Sequence, residues 1–213
     1  LIARLHTTIK LTKDTGPLVS FKTDRGYDSY GKEQGYNAQI SEDAEFAYTT
    51  ALNAMLQKGS HNKFGVGNRT FVFWASSNAE AAEQTEESLF DLFGFADEEQ
   101  DDPNARIEQV RKVFTSIYSG TLKTSLDDRF YILGLAPNSA RMAVVYWSEC
   151  SLKEFAEKIL RHFDDMEIID TRKDGKPYMG IKSMLAAVTL NGKQSEATPN
   201  LPEAVVKSIF QGT

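Results

Sequence analysis

Apolar and polar positions alternate along this chain with two periods, one helical and one extended. Over residues 41–58 the side chains Ala44, Ala47, Tyr48, Ala51, Leu52, Met55 and Leu56 recur at helical spacing, which predicts a helix with one face toward a core. Ser41 offers an N-cap oxygen before it and Gly59 a stop after it. Thr70-Phe-Val-Phe-Trp-Ala75 is aromatic and β-branched, as a buried strand requires. An acidic helix is expected from Asn78 to Phe93, with Leu89, Phe90, Leu92 and Phe93 at its inner end. Asp102 is placed to cap the next helix, with Pro103 at its first position. Ile107, Val110, Val113, Phe114, Ile117 and Tyr118 share that helix's inner face, and Gly120 follows it.

Residues 129–136 and 141–147 are strand runs separated only by Pro137-Asn-Ser-Ala140, so an antiparallel hairpin is the natural connection. Ser151-Leu-Lys-Glu154 is a capping box opening a helix to Phe163. Residues 166–170 read as a short strand, and Pro202 opens a last helix through Phe210. Near the start, residues 1–11 and 18–21 read as extended segments about a Gly16-Pro17 turn, and residues 58–69 as a basic, glycine-rich loop. Hairpin strands with segregated helices place the chain in the α+β class, antiparallel sheet elements with packed amphipathic helices. Its 213 residues fit a single α+β domain. The opening Leu1 and the abrupt end at Phe210-Gln-Gly-Thr suggest a fragment of a longer protein.

Composition adds little to that picture, whereas charge changes it. The chain is 41% apolar and 25% charged, ordinary for a soluble globular protein. No apolar run approaches the ~18 residues of a membrane span, so no membrane partner is expected. The single Cys150 rules out an internal disulfide within the chain, fits a cytoplasmic location and reads as a small apolar filler at a strand end. The net charge of −6 averages over opposite patches. Residues 78–102 hold ten acids and no base, and the rest of the chain balances at +4. Residues 46–79 hold Lys58, Lys63 and Arg69 with no acid, so local charge is the informative quantity.

Gly26-Tyr-Asp-Ser-Tyr-Gly31-Lys32 imitates the start of a phosphate-binding P-loop. The eighth position is Glu33, a carboxylate where a neutral magnesium ligand is needed, and Gly35 and Asn37 interrupt the helix that should start there. His6, His61 and His162 have no partner at metal-ligand spacing, so no metal or cofactor is expected. Asp127-Asp128 reads as a turn before a strand, and no nucleophile elbow or Cys/His pair points to catalysis. A non-enzymatic role is expected. The polar, basic loops remain: Lys32, Gln34 and Asn37; Lys58, Lys63, Asn68 and Arg69; Asn138, Ser139 and Arg141. These residue types donate to phosphates and base edges, which makes them candidate DNA-binding residues. The same residues also build and solvate turns.

Five strings carry a resemblance: Leu18-Val-Ser-Phe21, Ser29-Tyr-Gly-Lys-Glu-Gln-Gly35, Glu45-Phe-Ala-Tyr-Thr-Thr-Ala-Leu-Asn53, Val72-Phe-Trp-Ala75, and Phe130-Tyr-Ile-Leu-Gly-Leu-Ala-Pro-Asn-Ser-Ala-Arg141. Together they resemble the large subunit of the type I-C CRISPR Cascade surveillance complex, over nearly the whole chain. In that family Glu33 belongs to the motif, which makes the P-loop likeness accidental. The resemblance implies the middle of a longer, non-catalytic subunit that helps read a protospacer-adjacent motif on double-stranded target DNA and steadies the displaced strand. Its implied partners are the crRNA-bound backbone and cap subunits and a separate helicase-nuclease. A pure scaffold role and a nucleotide-dependent enzyme stand as alternatives.

Overall fold

The computed structural model describes residues 1–22, 26, 30–93, 103–125, 127–169, 178–193, 196–198 and 200–212, with the backbone only at 103–106 and 182. A short hairpin of β1 (Ile9–Lys10) and β2 (Thr15–Gly16) is followed by a 3₁₀ turn (Gln34–Asn37) and α1 (Glu42–Met55). Then come β3 (Lys63–Val66), β4 (Arg69–Ala75), α2 (Glu80–Phe93), α3 (Pro103–Ser119), β5 (Arg129–Asn138) and β6 (Arg141–Ser151). The chain closes with α4 (Leu152–Asp165), α5 (Ile181–Ala187) and α6 (Leu201–Gln211). Strands β3-β4-β5-β6 form one antiparallel sheet in that order, and the class is α+β.

The sheet buries both faces, which is why β4 reads as an almost unbroken apolar run. On one face Phe64, Phe71, Phe73, Phe130, Ile132 and Tyr146 pack against α2, α3, α4 and α6. Phe210 of α6 sits at the centre of that layer, with ring centroids 6.5 Å from Phe71, 5.7 Å from Phe93 and 5.9 Å from Phe155. On the other face Val72, Leu133, Leu135 and Met142 meet Ile9, Leu52 and Leu56, so α1 and the β1–β2 hairpin cover it.

Several expectations hold at residue level. Ser41 caps α1, its side chain accepting from Ala44 N, and Ser151 with Glu154 forms the capping box of α4. The β5–β6 hairpin is tighter than expected, because Asn138 pairs with Arg141 and only Ser139-Ala140 turns. Cys150 is buried at the end of β6, and burial pushes its thiol pKa up. Asp128 folds back to accept from Ser125 N at 2.7 Å, as a turn residue does.

Four expectations need correction. Residues 58–62 form a loop, but 63–69 do not: β3 and the start of β4 form a hairpin closed by Gly67 and Asn68. Gly16 lies in β2 rather than in a turn. The buried face of α1 is rotated from the expected stripe: Ala44, Ala47 and Ala51 are exposed, while Glu45 and Thr49 are buried. Glu45 is tolerated there because its Oε1 accepts from Thr7 N at 2.6 Å, and Thr49 bonds back to Glu45 O. Residues 166–169 make one bridge, Glu167 with Tyr178, rather than a strand. The Asp102 cap, Ser29, Asp170 and the acids at 97–102 lie outside the described residues.

Candidate nucleic-acid interface

A cleft of about 480 Å³ opens at one end of the sheet, between residues 20–22 and the β5–β6 turn. Ser20, Phe21, Lys22, Asn138, Ser139, Ala140 and Arg141 line it. Its two walls are locked together from below. Met142 N donates to Pro17 O at 3.1 Å, and Gly16 lies under the turn, where a Cβ would fall 2.9 Å from Arg141 Cα. Only a residue without a side chain lets the backbones approach so closely. Ser139 has a φ of +54°, in the left-handed region that a two-residue hairpin turn demands. Among the described residues neither Lys22 nor Arg141 has a carboxylate partner.

The first basic loop joins this cleft through the Gln34 side chain. Gln34 Oε1 accepts from Phe21 N at 3.3 Å, tying the 3₁₀ turn to the cleft wall. Asn37 Nδ2 donates to Lys32 O at 3.0 Å and to Gln34 O at 3.1 Å, so both amides hold the loop's shape. Gly35 is wedged against the N-terminal segment, where a Cβ would sit 2.1 Å from Ala3 O. Glu33 pairs with Arg4 at 2.7 Å, and a four-residue 3₁₀ turn stands where a P-loop would open a long helix. Lys32 itself is exposed.

The second group is dispersed. Lys63 Nζ donates to Leu56 O at 2.6 Å, holding a carbonyl at the end of α1, and burial lowers its pKa from the ordinary lysine value. Arg69 Nε meets Glu203 Oε2 of α6 at 2.9 Å, with both side chains less than a fifth exposed. Its Nη1 donates to Asn68 Oδ1 at 2.7 Å. Hydrogen bonds from Lys207 and Arg69 hold the Glu203 carboxyl below its usual range. Lys58 is exposed. The Asn68–Arg69 turn shares the cleft's end of the sheet, since Thr70 pairs with Leu135, whereas Lys63 pairs with Val72, further down the edge strand.

The structure therefore brings together Asn138, Arg141 and, through Gln34, the Lys32 loop. It leaves Lys58 and Lys63 apart and commits Arg69 to α6. Sequence reasoning passed over Ser20, Phe21 and Lys22. The available signal was a lysine directly after an aromatic in a polar stretch. The arrangement offers two cations, an amide and two hydroxyls around an aromatic ring, which suits a phosphate backbone with a base edge beside it.

Elsewhere two histidines bond to tyrosine hydroxyls within the chain. His162 Nε2 lies 2.8 Å from the Tyr178 hydroxyl, and burial lowers the His162 pKa to about 4. Tyr48, bonded to His6, is pushed up to about 12 by burial and then by Glu45. Among the described residues no three His, Cys, Asp or Glu side chains are placed to hold a metal ion, and no helix is long and apolar enough to cross a membrane. Comparison with the curated proteins returns no match. The sequence does match a family, Cas_Csd1, CRISPR-associated protein, over residues 1–213. The match spans the whole chain, cleft and helical layer alike, and the chain belongs to the Cas_Csd1 family of CRISPR-associated proteins.

Proposed function

We propose that this chain is part of the large subunit of a type I-C crRNA-guided surveillance complex and is a non-catalytic contact for target DNA. Duplex DNA bearing the protospacer-adjacent motif lies against the cleft, with Lys22, Arg141 and the neighbouring Lys32 on phosphates and Asn138 toward a base edge. The observation that carries this reading is a pair of cations, Lys22 and Arg141, with no carboxylate partner among the described residues, flanking exposed Asn138 on a turn that Gly16 fixes in place. Base pairing with the guide reads the long sequence, and protein contacts read a short motif and shape. The crRNA-bound backbone and cap subunits and the helicase-nuclease complete the assembly. Arg69 and Lys63 support the fold in this reading, because their charges already have partners inside the chain.

The test is a gel-shift of the complete complex on motif-bearing and motif-free duplexes at two salt concentrations. Lys22→Glu with Arg141→Glu is expected to weaken duplex binding and to reduce the slope of log affinity against log salt by about 0.9 per lost contact. Asn138→Ala should reduce the preference for the motif by about 1–3 kcal/mol. Unchanged affinity and slope in the double variant would remove the cleft from the interface. A second reading, a docking segment for basic neighbours, is favoured by the exposed acids Glu80, Glu83 and Glu87 of α2. Reversing those charges should then break assembly and spare DNA affinity.

A further inference from the structure

Strand β3 is an edge of the sheet, and its outer side is bare. Asn62 O accepts from Phe73 N at 3.0 Å, which makes Asn62–Phe73 a hydrogen-bonded pair. Antiparallel pairing alternates, so Phe64–Phe71 is the next bonded pair, and Lys63–Val72 and Gly65–Thr70 are the unbonded ones. The N–H and C=O groups of Lys63 and Gly65 therefore face away from β4, and among the described residues no backbone group receives them. Natural edge strands carry guards: a bulge, a charge in the pairing lane, or a cover. The opposite edge, β6, has a bulge at Val145, and its Met142 N bonds to Pro17 O. Strand β3 has neither. Its one charge, the Lys63 ammonium, is turned aside onto Leu56 O.

A groove of about 280 Å³ runs along this bare edge, past Lys63 and Gly65. One wall is Leu11 and Thr12 of the β1–β2 turn with Leu56 and Gly59 at the end of α1. The other is Phe90 of α2, whose ring stacks on His61 at 4.3 Å with 9° between the planes. Charge separates the two walls. Lys63 lies on the first, and exposed Lys13 and Lys58 adjoin Thr12 and Gly59 in the chain, against the exposed acid Asp14. On the second, Glu86 of α2 is already spent inside the chain, accepting from Asn62 Nδ2 at 2.8 Å and from Ala75 N at 2.7 Å. The floor offers main-chain donors and acceptors at the spacing of an extended chain, which suits a peptide backbone rather than a compact ligand. Pairing two copies of this chain along β3 would bring two basic rims together, so charge favours a partner strand that carries acids.

We propose that the β3 edge receives an extended acidic segment of a protein partner, added to the sheet as a further strand. Its acidic side chains lie toward the lysine wall and its apolar ones toward Phe90, since successive side chains of a strand alternate between faces. Main-chain bonds supply the grip, and the two walls choose the side chains. The groove shares no lining residue with the cleft, so the inference stands apart from DNA binding there.

The probe is a labelled peptide of about eight residues alternating Glu and Val, long enough to span the edge at strand spacing. Fluorescence anisotropy with the full chain is expected to show saturable binding, and a peptide alternating Lys and Val is expected to bind more weakly. An added strand bonds through alternate residues. N-methylation of one alternate set of peptide nitrogens should therefore abolish binding, while methylation of the other set leaves it. In the protein, Gly65→Pro removes an outward N–H, a change that an edge strand tolerates, and should weaken binding roughly 3- to 10-fold. Gly65→Ala should bind like the parent, since its Cβ has room, 3.9 Å from Arg69 O. The proposal is overturned by no binding, by equal binding of the two methylated peptides, or by a Gly65→Pro variant that keeps both the parent's melting temperature and its affinity. Equal binding of the basic peptide overturns the choice of an acidic partner. Displacement of the acidic peptide by an oligothymidine reassigns the groove to nucleic acid, and a dimer of the chain that Gly65→Pro dissolves reassigns the edge to a second copy. Lys22→Glu with Arg141→Glu should leave peptide binding unchanged, which keeps groove and cleft separable.

Discussion

His162 shows how one buried side chain ties stability to pH. Its ring is almost fully buried, Nε2 lies against the Tyr178 hydroxyl, and burial outweighs the opposing pull of Asp165 to give a pKa of about 4. The unfolded chain returns this group to about 6.5, so between those values the unfolded state binds more protons than the folded one. The stabilisation is complete above pH 6.5 and is lost as pH falls toward 4, by on the order of 3 kcal/mol. Denaturant titrations at pH 7 and pH 4.5 should show that loss, and His162→Gln should flatten the pH dependence specific to this site. Lys63 and Arg69 teach a related lesson about charge. Their sequence context, free of acids for more than twenty residues, said nothing of Leu56 O or Glu203, which the fold supplies.

At the scale of elements, helices announced themselves wherever their signals were local. Ser151 and Glu154 make the expected reciprocal bonds, Ser151 N to Glu154 Oε2 at 2.8 Å and Glu154 N to Ser151 Oγ at 3.2 Å. Ser151→Ala should destabilise the protein by about 1 kcal/mol, read as a shift in denaturant midpoint at constant slope. Strand β3 was not legible, because Lys63-Phe-Gly-Val is extended only by virtue of pairing with β4. Helix α5 was missed for want of a signal: Gly180 precedes it and makes no side-chain cap. The rotated face of α1 has the same origin, since a spacing rule cannot foresee that Thr7 N will satisfy Glu45. Hairpin β5–β6 was legible because its turn is short and both of its strands are strongly apolar.

At the scale of the molecule, the α+β class and membership of a CRISPR-associated family followed from pattern and from strings of residues, while the candidate cleft did not. Its walls come from residues 20–22 and 138–141, which meet only after the sheet has formed. The helical layer has the same long-range character. Arg69 and Glu203 pair across 134 residues of sequence, and Phe210 fills the centre of a ring that includes Phe64, Phe71, Phe93 and Phe155. Phe210→Ala should therefore cost about 3–5 kcal/mol, measurable by equilibrium unfolding, through the cavity it leaves. The same arrangement constrains synthesis. A ribosome that has delivered residues 1–190 has made every described strand of the sheet but not the plug that seals it, so an aromatic-lined hollow faces solvent until α6 emerges. Pausing in that interval exposes the nascent chain to chaperone capture and self-association, because the strands and helices already made cannot close their core without α6.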